Sequence, residues 1–331
     1  MPKNINFDGP FRKEMQDFID LMKSTGYSHS TVDAKGGILR RYGSYLKEHY
    51  PDANELTREV VSSWCSKDPN EKSSNQNTRV SAVRQFAKYL RNIGTNAWVP
   101  PANFCKAGAK YVPRIYTADE LQRFLAETDK CTNENMSIAH RDLIMPIFFR
   151  LLATCGLRCS EARFLKVDNV DLENGVLTII NGKNHNNRLV PMPVSLIEKM
   201  QAYAKQVHPF MNPGDYFFPG RGGRPISHGI VYYNFRKFLW NAGISHTGDG
   251  PRVHDFRHTF CVYRFKEWSE KGKDLMVLIP ILRTYLGHKD FKATAYYLRL
   301  TADVFPDIRL RLEKTYPDII PNAEEVTYET D

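Results

Sequence analysis

The chain is organised around Gly287–Arg299, which has the sequence GHKDFKATAYYLR. This stretch follows the apolar run Leu275–Leu286 and predicts a short connection, then a helix that places two tyrosines near a histidine. A tyrosine is a poor nucleophile at its ordinary pKa of about 10. It needs cationic neighbours that stabilise the phenolate, or a base that takes its proton. The chain offers such neighbours in the order Arg158, Lys183, His254, Arg257 and His288.

Length and charge give a first indication of the class of protein. The chain has 331 residues, enough for about two domains. Its 42% hydrophobic and 12% aromatic residues allow well-filled cores. The formal net charge of +9 favours an anionic partner, with nucleic acid as the first candidate.

Cysteine usage and hydropathy indicate the compartment. The six cysteines are scattered without a CxxC pair, which is not typical of a disulfide framework or a zinc ribbon. We therefore expect reduced thiols in a cytoplasmic protein. The first residues lack the apolar segment of a signal peptide. No run approaches the length of about 18 apolar residues that would predict a membrane span.

The first 94 residues predict an all-helical domain. Apolar side chains recur three and four positions apart, which is the spacing of one helical face. The predicted helices are Pro10–Thr25, Ser28–Tyr50, Leu56–Cys65 and Asn77–Ile93.

Basic residues on two of these helices are candidates for DNA contacts. Arg84, Lys88 and Arg91 lie at i, i+4 and i+7 on the fourth helix and form one stripe, and Arg40 and Arg41 add charge to the second helix. Such a stripe is either a solvated helix face or a surface that holds DNA phosphates. The sequence leaves both interpretations open.

A linker and a second domain follow. Residues 95–115 interleave prolines and glycines with lysines, which predicts an extended linker. Thr117 and Glu120 then form a capping box that opens the second domain, residues 116–315. Residues 316–331 are a C-terminal tail, whose end, Ala323–Asp331, is acidic and polar.

The second domain is mostly helical but contains one segment in which the sequence pattern is that of strands and turns. Short β-branched runs between residues 170 and 191 alternate with turn-rich segments, which predicts a three-stranded antiparallel sheet with Lys183 at or near a turn. Gly156 ends a buried apolar helix, and Ser160 is a candidate N-cap of the next. The expected fold class is mainly α with a small antiparallel β-sheet (α+β).

Taken singly, each candidate residue has an ordinary structural explanation. Arg158 is typical of a surface ion pair, Lys183 of a solvated turn, and the two tyrosines of a packing pair. His254 and His258 are spaced i, i+4 as zinc ligands can be, but no HExxH glutamate or cysteine pair accompanies them. No metal site is predicted.

Taken in order, the same residues resemble the signature of the tyrosine recombinases, the integrase family. The resemblance covers roughly residues 115–315, and the helical N-terminal domain resembles the family's core-binding domain in position and size. The matching motifs are Gly-Leu-Arg-x-Ser-Glu at Gly156–Glu161, Gly-Lys at Gly182-Lys183, His-x-x-Arg-His at His254–His258, Leu-Gly-His at Leu286–His288 and, nine residues later, Tyr297.

The resemblance implies that a tyrosine oxygen attacks a DNA phosphodiester, giving a 3′-phosphotyrosyl bond and a free 5′-hydroxyl without a metal or other cofactor. It implies that Arg158 and Arg257 hold the non-bridging oxygens with their planar donor forks. Lys183 suits the general acid for the leaving 5′ oxygen. His254 suits proton exchange with the tyrosine or a hydrogen bond to the phosphate, and His288 suits a second such bond.

Three further residues have supporting or competing roles. Glu161 lies three positions after Arg158 and is placed to orient it, and His258 supports the same helix as His254. Tyr296 competes with Tyr297 as the nucleophile. One helix step rotates a side chain by about 100°, so only one of the two faces the cluster. The spacing from the histidine favours Tyr297.

The sequence therefore predicts a site-specific recombinase that integrates or excises a mobile element. Strand exchange needs four active sites, which implies a tetramer assembled on double-stranded DNA. The context Tyr297–Thr301 looks more like mobile-element recombinases than the Xer type. The alternatives are an Xer-type recombinase that resolves chromosome dimers, a DNA-binding accessory protein without catalysis, and a relative of the type IB topoisomerases.

Overall fold

The computed structural model describes residues 6–105, 111–133, 138–180, 187–248, 250–317, 319–322 and 326. The chain divides into two compact units, Met1–Lys110 and Tyr111–Asp331. In the described part of the chain, none of the helices combines the length and the apolar character that crossing a membrane requires.

The first unit contains the four predicted helices. Ser28 and Thr57 accept hydrogen bonds from backbone N–H groups of the first turns and so cap the second and third helices. Apolar side chains from all four helices form one core. The helices are α1 (Arg12–Ser24), α2 (His29–His49), α3 (Arg58–Cys65) and α4 (Ser73–Asn92).

The first half of the predicted linker packs onto this unit. Ala97 is buried and forms a parallel bridge with Leu56. Cys105 belongs to the same apolar core, and Trp98 and Phe104 pack against it with their rings 5.9 Å apart. The described residues before 106 therefore belong to the first unit.

The second unit is helical apart from one small sheet. Thr117 and Glu120 form the predicted capping box at its first helix, with both reciprocal hydrogen bonds present. Its helices are α5 (Ala118–Asp129), α6 (Arg141–Cys155), α7 (Cys159–Arg163), α8 (Val194–Val207), α9 (His228–Asn241), α10 (Asp255–Glu270), α11 (Leu275–Leu286), α12 (Phe291–Val304) and α13 (Pro306–Thr315).

The sheet has three antiparallel strands in the order β1-β2-β3. They are β1 (Val170–Asp171), β2 (Val176–Ile179) and β3 (Arg188–Pro191). Leu177 pairs with Val190 and Ile179 pairs with Arg188, and all four side chains face inward. Lys183, between β2 and β3, lies outside the described residues. The predicted fold class, mainly α with a small antiparallel sheet, is confirmed.

Helix α10 lies at the centre of the second unit, packed against both α6 and α12. Phe256 at its start joins the large aromatic core around α6. Cys261 and Phe265 further along join a separate cluster with α11, α12 and α13. Val326 from the tail is buried in this second cluster. The helix that carries the His-x-x-Arg-His motif is thereby held on two sides.

Candidate active site

The first arginine of the cluster lies in the short connection between α6 and α7. Gly156 ends α6 in the left-handed conformation, with φ 60°, and Arg158 occupies the N-cap position of α7. The Glu161 carboxylate accepts hydrogen bonds of 2.9 Å from the Arg158 backbone N–H and from its Nη1. The predicted N-cap at Ser160 is wrong, because α7 begins at Cys159, two residues earlier than such a cap would give, and Ser160 lies inside its first turn.

A second arginine, Arg188 at the start of β3, binds the same carboxylate. Its Nη1 and Nη2 donate to Oε1 and Oε2 of Glu161, each at 2.8 Å. Arg188 is not among the residues predicted from the sequence. A signal was present, because Arg188 lies two positions before Val190 and therefore shares its buried face of the strand. A charged side chain on a buried face indicates an ion pair.

These partners determine the charge of Glu161, whose side chain is only 4% exposed. Burial alone would raise the pKa of this carboxyl. The hydrogen bonds and charge of Arg188, with the charges of Arg257 and Arg158, outweigh burial and lower the pKa from 4.5 to about 2. Glu161 is therefore ionised near neutral pH.

Arg257 on α10 is almost fully buried. Its Nη1 donates to the carbonyl of Gly156, and its Nη2 donates to the carbonyl of Leu286, each at 2.8 Å. The same Nη2 lies 3.1 Å from Nε2 of His288. Arg257 thus connects the end of α6 to the end of α11.

The hydrogen bonds of His288 define its tautomer. Because a guanidinium is only a donor, Nε2 must accept from Arg257 and therefore carries no proton. Nδ1 then carries the proton and donates to Oγ1 of Thr294 at 2.8 Å. The imidazole is neutral in this arrangement.

The two candidate nucleophiles are adjacent on α12 and both are buried. The ring of Tyr297 lies 5.8 Å from that of His288 and 5.4 Å from that of His258, measured between centroids. The ring of Tyr296 contacts His258, at 6.1 Å, and the ring of Tyr297. Tyr297 therefore contacts both histidines.

His254 precedes α10 at its N-cap position and is buried. Its ring meets that of His258 edge-on, with centroids 4.8 Å apart. His258 in turn contacts the ring of Tyr297, so these three side chains form a continuous row.

The segment that enters the second unit supports the start of α10. Tyr111 donates to the buried Asp255 carboxylate at 2.5 Å. The Tyr116 ring stacks on Phe256 with centroids 5.0 Å apart, and its backbone N–H donates to Thr259. The residues flanking His254 and Arg257 are therefore anchored from outside the helix.

Five of the six predicted catalytic residues are brought together in this buried cluster: Arg158, His254, Arg257, His288 and Tyr297. Glu161 and His258, predicted in supporting roles, lie among them. The sixth, Lys183, falls outside the described residues.

The basic residues of the first unit divide into two groups. Arg40, Arg41 and Lys88 are exposed. Arg84, which is half-buried, donates to the backbone carbonyls of Pro100 and Pro101, at 2.7 and 2.8 Å, and Arg91, which is also exposed, donates to the carbonyl of Ala97 at 2.5 Å. These two arginines hold the segment that follows α4.

A second basic surface, not predicted from the sequence, lies on α9. Tyr232, Tyr233 and Trp240 are exposed there. The guanidinium carbon of Arg236 lies 5.7 Å from the Tyr232 ring centroid, and the His228 ring stacks on the Tyr232 ring with centroids 6.4 Å apart. Exposed aromatic rings beside cations are typical of surfaces that bind nucleic acids.

Known proteins are similar to this chain over both units. The profile of the Phage integrase family matches residues 114–303, and that of the phage integrase N-terminal SAM-like domain matches residues 15–94. Two similar proteins of Sinorhizobium fredii are named integrase/recombinase. The protein y4rE is 32% identical over 302 residues, covering 88% of this chain and 92% of its own. The protein y4rB is 28% identical over 314 residues, covering 93% of this chain and 98% of its own.

A similar fold is found in the crystal structure of a lambda integrase tetramer bound to a Holliday junction. The TM-score is 0.62 at 16% sequence identity, over 86% of this chain and 76% of that one.

Proposed function

The chain belongs to the phage integrase family and is a tyrosine recombinase, and we propose that Tyr297 is the nucleophile with which it cuts and rejoins DNA. The observation that carries this proposal is the position of the Tyr297 ring, which lies against His288 and His258 beside the buried Arg257. Tyr296 is the competing candidate.

In the proposed reaction Oη of Tyr297 attacks the scissile phosphorus. A phosphorus–oxygen bond to tyrosine forms, and the bond to the 5′ oxygen of the next nucleotide breaks. The tyrosine proton passes to His254, and Lys183 supplies the proton that makes the leaving group a 5′-hydroxyl. Reversal by another 5′-hydroxyl rejoins the strand, because the phosphotyrosyl bond retains the ester.

Arg158 and Arg257 stabilise the charge on the non-bridging oxygens during this step. A preorganised buried donor of this kind commonly contributes a factor of about 100 to 1,000 in rate. Glu161 orients Arg158 through the two hydrogen bonds at 2.9 Å. Both ring nitrogens of His288 have protein partners, so we infer that it acts on the phosphate through Arg257.

We also propose that the partner is double-stranded DNA, held by a core-binding domain at residues 1–94 and a catalytic domain at residues 116–315. The net charge of +9 and the aromatic, basic face of α9 support DNA binding. The lambda integrase structure is a tetramer on a Holliday junction, which supports a tetramer here.

The names of the two Sinorhizobium relatives, integrase/recombinase, support a role in moving a genetic element. The free cysteines support a cytoplasmic location.

The test is covalent trapping on DNA. Duplexes that the full-length protein binds are first selected from a randomised library. The selected sequence is then built with a nick at successive positions, so that cleavage releases a short strand and traps the adduct. Wild type, Tyr297→Phe and Tyr296→Phe are compared on a denaturing gel.

An adduct that disappears only in Tyr297→Phe is the expected result. Loss only in Tyr296→Phe would move the nucleophile by one residue. Binding without any adduct in wild type would favour an accessory protein, and relaxation of supercoiled DNA without site preference would favour a topoisomerase. Mapping the selected sequence to the ends of an inserted element supports the mobile-element role, whereas a single chromosomal site supports the Xer type.

A further inference from the structure

Arg188 connects three parts of the candidate active site. Its two terminal nitrogens bind Glu161, each at 2.8 Å, and its Nε donates to the carbonyl of Tyr285 at 2.7 Å. A Cβ atom at Gly287 would lie 3.2 Å from Nη1 of Arg188, so the guanidinium also packs against the loop before His288. The side chain is only 5% exposed.

The contact with Tyr285 completes the end of α11. The last four carbonyls of a helix have no partner within it. Here residues 283 and 284 accept from the backbone N–H groups of His288 and Gly287, each at 3.1 Å. The carbonyls of Tyr285 and Leu286 accept instead from Arg188 and Arg257. Two arginines thus meet the negative end of this helix, where cations are stabilised.

The contact with Glu161 determines how that carboxylate is shared. Its two oxygens accept two hydrogen bonds from Arg188 and two from Arg158. Arg188 holds the bidentate position, which is the strongest geometry for an arginine and a carboxylate. Without Arg188, the same position on Glu161 would be open to the guanidinium of Arg158, which already donates to Oε1 at 2.9 Å.

We propose that Arg188 is a positioning residue for strand cleavage, which prevents Glu161 from taking Arg158 as its bidentate partner and fixes the end of α11 that carries Leu286 and His288. Arg158 thereby remains available to the DNA phosphate. Arg257 keeps its position relative to Arg158. This inference rests on the proposed function, because it concerns the rate of the cleavage step.

The test uses full-length protein and the nicked duplex obtained by selection. Arg188→Met removes the charge, Arg188→Lys keeps the charge without the fork, and Arg188→Met combined with Glu161→Gln removes the competing carboxylate as well. Arg150→Met is the matched control. Arg150 also binds a carboxylate with both terminal nitrogens, that of Asp129, away from the cluster. Single-turnover adduct formation, the Kd for the duplex and the Tm are measured for each.

We expect Arg188→Met to slow adduct formation about 100-fold, the effect of displacing a reacting group by about 1 Å, while the Kd stays close to that of wild type. Arg188→Lys should recover part of the rate. The double variant should be faster than Arg188→Met, because no free carboxylate then competes for Arg158. Arg150→Met should lower the Tm without slowing cleavage.

Two results would overturn the inference. The first is that the double variant forms the adduct no faster than Arg188→Met, and that the adduct rates of all variants follow their Tm alone. The second is a wild-type rate in Arg188→Lys, which remains decisive if the methionine variants do not fold. Both failures leave a wild-type adduct in place and so are distinguishable from failure of the proposed function, in which wild type itself forms none.

Discussion

The imidazole ring of His288 lies parallel to the phenol ring of Tyr297, with 5.8 Å between their centroids and 8° between their planes. The imidazole is held in this orientation at both nitrogens, by Arg257 and by Thr294. Arg257, which can only donate, fixes the tautomer, and the Thr294 hydroxyl accepts from Nδ1 and so holds the ring with Nε2 facing Arg257. A threonine outside the recognised motif therefore controls a residue within it.

We predict that Thr294→Val slows adduct formation about tenfold, because a buried Nδ1–H left without an acceptor costs about 1–3 kcal/mol and favours a different ring orientation. The measurement is single-turnover cleavage, with the Kd for the duplex determined alongside. Thr294→Ser retains the hydroxyl and should cleave at nearly the wild-type rate. Equal rates in the valine and serine variants would show that the hydroxyl does not orient the imidazole for cleavage.

Glu161 should make stability depend on pH. Its pKa in the folded protein, about 2, lies below its ordinary value of 4.5. Its contribution is therefore fully present above about pH 4.5 and is lost as the pH falls towards 2. The shift corresponds to a contribution on the order of 3 kcal/mol. Glu161→Gln should lower the free energy of unfolding most near neutral pH, and the difference from wild type should shrink in acid.

Urea unfolding at a series of pH values measures that difference. Glu198→Gln, at an exposed position on α8, is the control and should give a small difference at every pH. A difference between wild type and Glu161→Gln that stays constant down to about pH 3 would contradict the assigned charge state.

The sequence predicted most of the helices because their apolar spacing and capping residues are local signals. The capping box of Thr117 and Glu120 and the left-handed end at Gly156 both depend on residues within one turn. Alternation along β3 can mark Arg188 as buried, but its role could not be found in this way. Its role depends on Glu161, 27 positions away, and on Tyr285, 97 positions away.

The basic stripe of α4 shows a related limit of sequence reasoning. Helical spacing correctly aligns Arg84, Lys88 and Arg91, but it does not indicate what each side chain meets. Arg84 and Arg91 donate to backbone carbonyls of the following segment, although Arg91 is itself exposed, as Lys88 is. Periodicity identifies a face, and only the tertiary fold shows what covers it.

This division predicts different effects on DNA binding. Replacing exposed Arg40, Arg41 or Lys88 by glutamine should weaken binding and reduce the slope of log K against log salt by about one for each phosphate that is no longer neutralised. Replacing half-buried Arg84 by glutamine should lower the free energy of unfolding by about 1 kcal/mol for each hydrogen bond that the variant cannot form, with little change in slope. Fluorescence anisotropy at several salt concentrations and urea unfolding provide the two measurements. A reduced slope with unchanged stability in Arg84→Gln would place that arginine on DNA instead.

Gly156 and Gly272 offer a matched pair, because both have φ 60° but only one is crowded. A Cβ at Gly272 would have nothing within 4 Å, whereas one at Gly156 would overlap the ring of Phe260. That ring stacks on Tyr285 with centroids 5.7 Å apart, so it has little room to move. Gly272→Ala should therefore lower the free energy of unfolding by about 1 kcal/mol, the penalty for an alanine in the left-handed conformation.

Gly156→Ala should lower the free energy of unfolding by about 1–3 kcal/mol more than Gly272→Ala does, because the added Cβ overpacks the site. Because the carbonyl of Gly156 accepts from Arg257, the same shift should slow adduct formation, while Gly272→Ala should leave the rate unchanged. Urea unfolding and single-turnover cleavage of both variants test this. Equal losses of stability in the two alanine variants would mean that the Phe260 ring moves aside at little cost in free energy. The end of α6 would then not be a rigid support for Arg257.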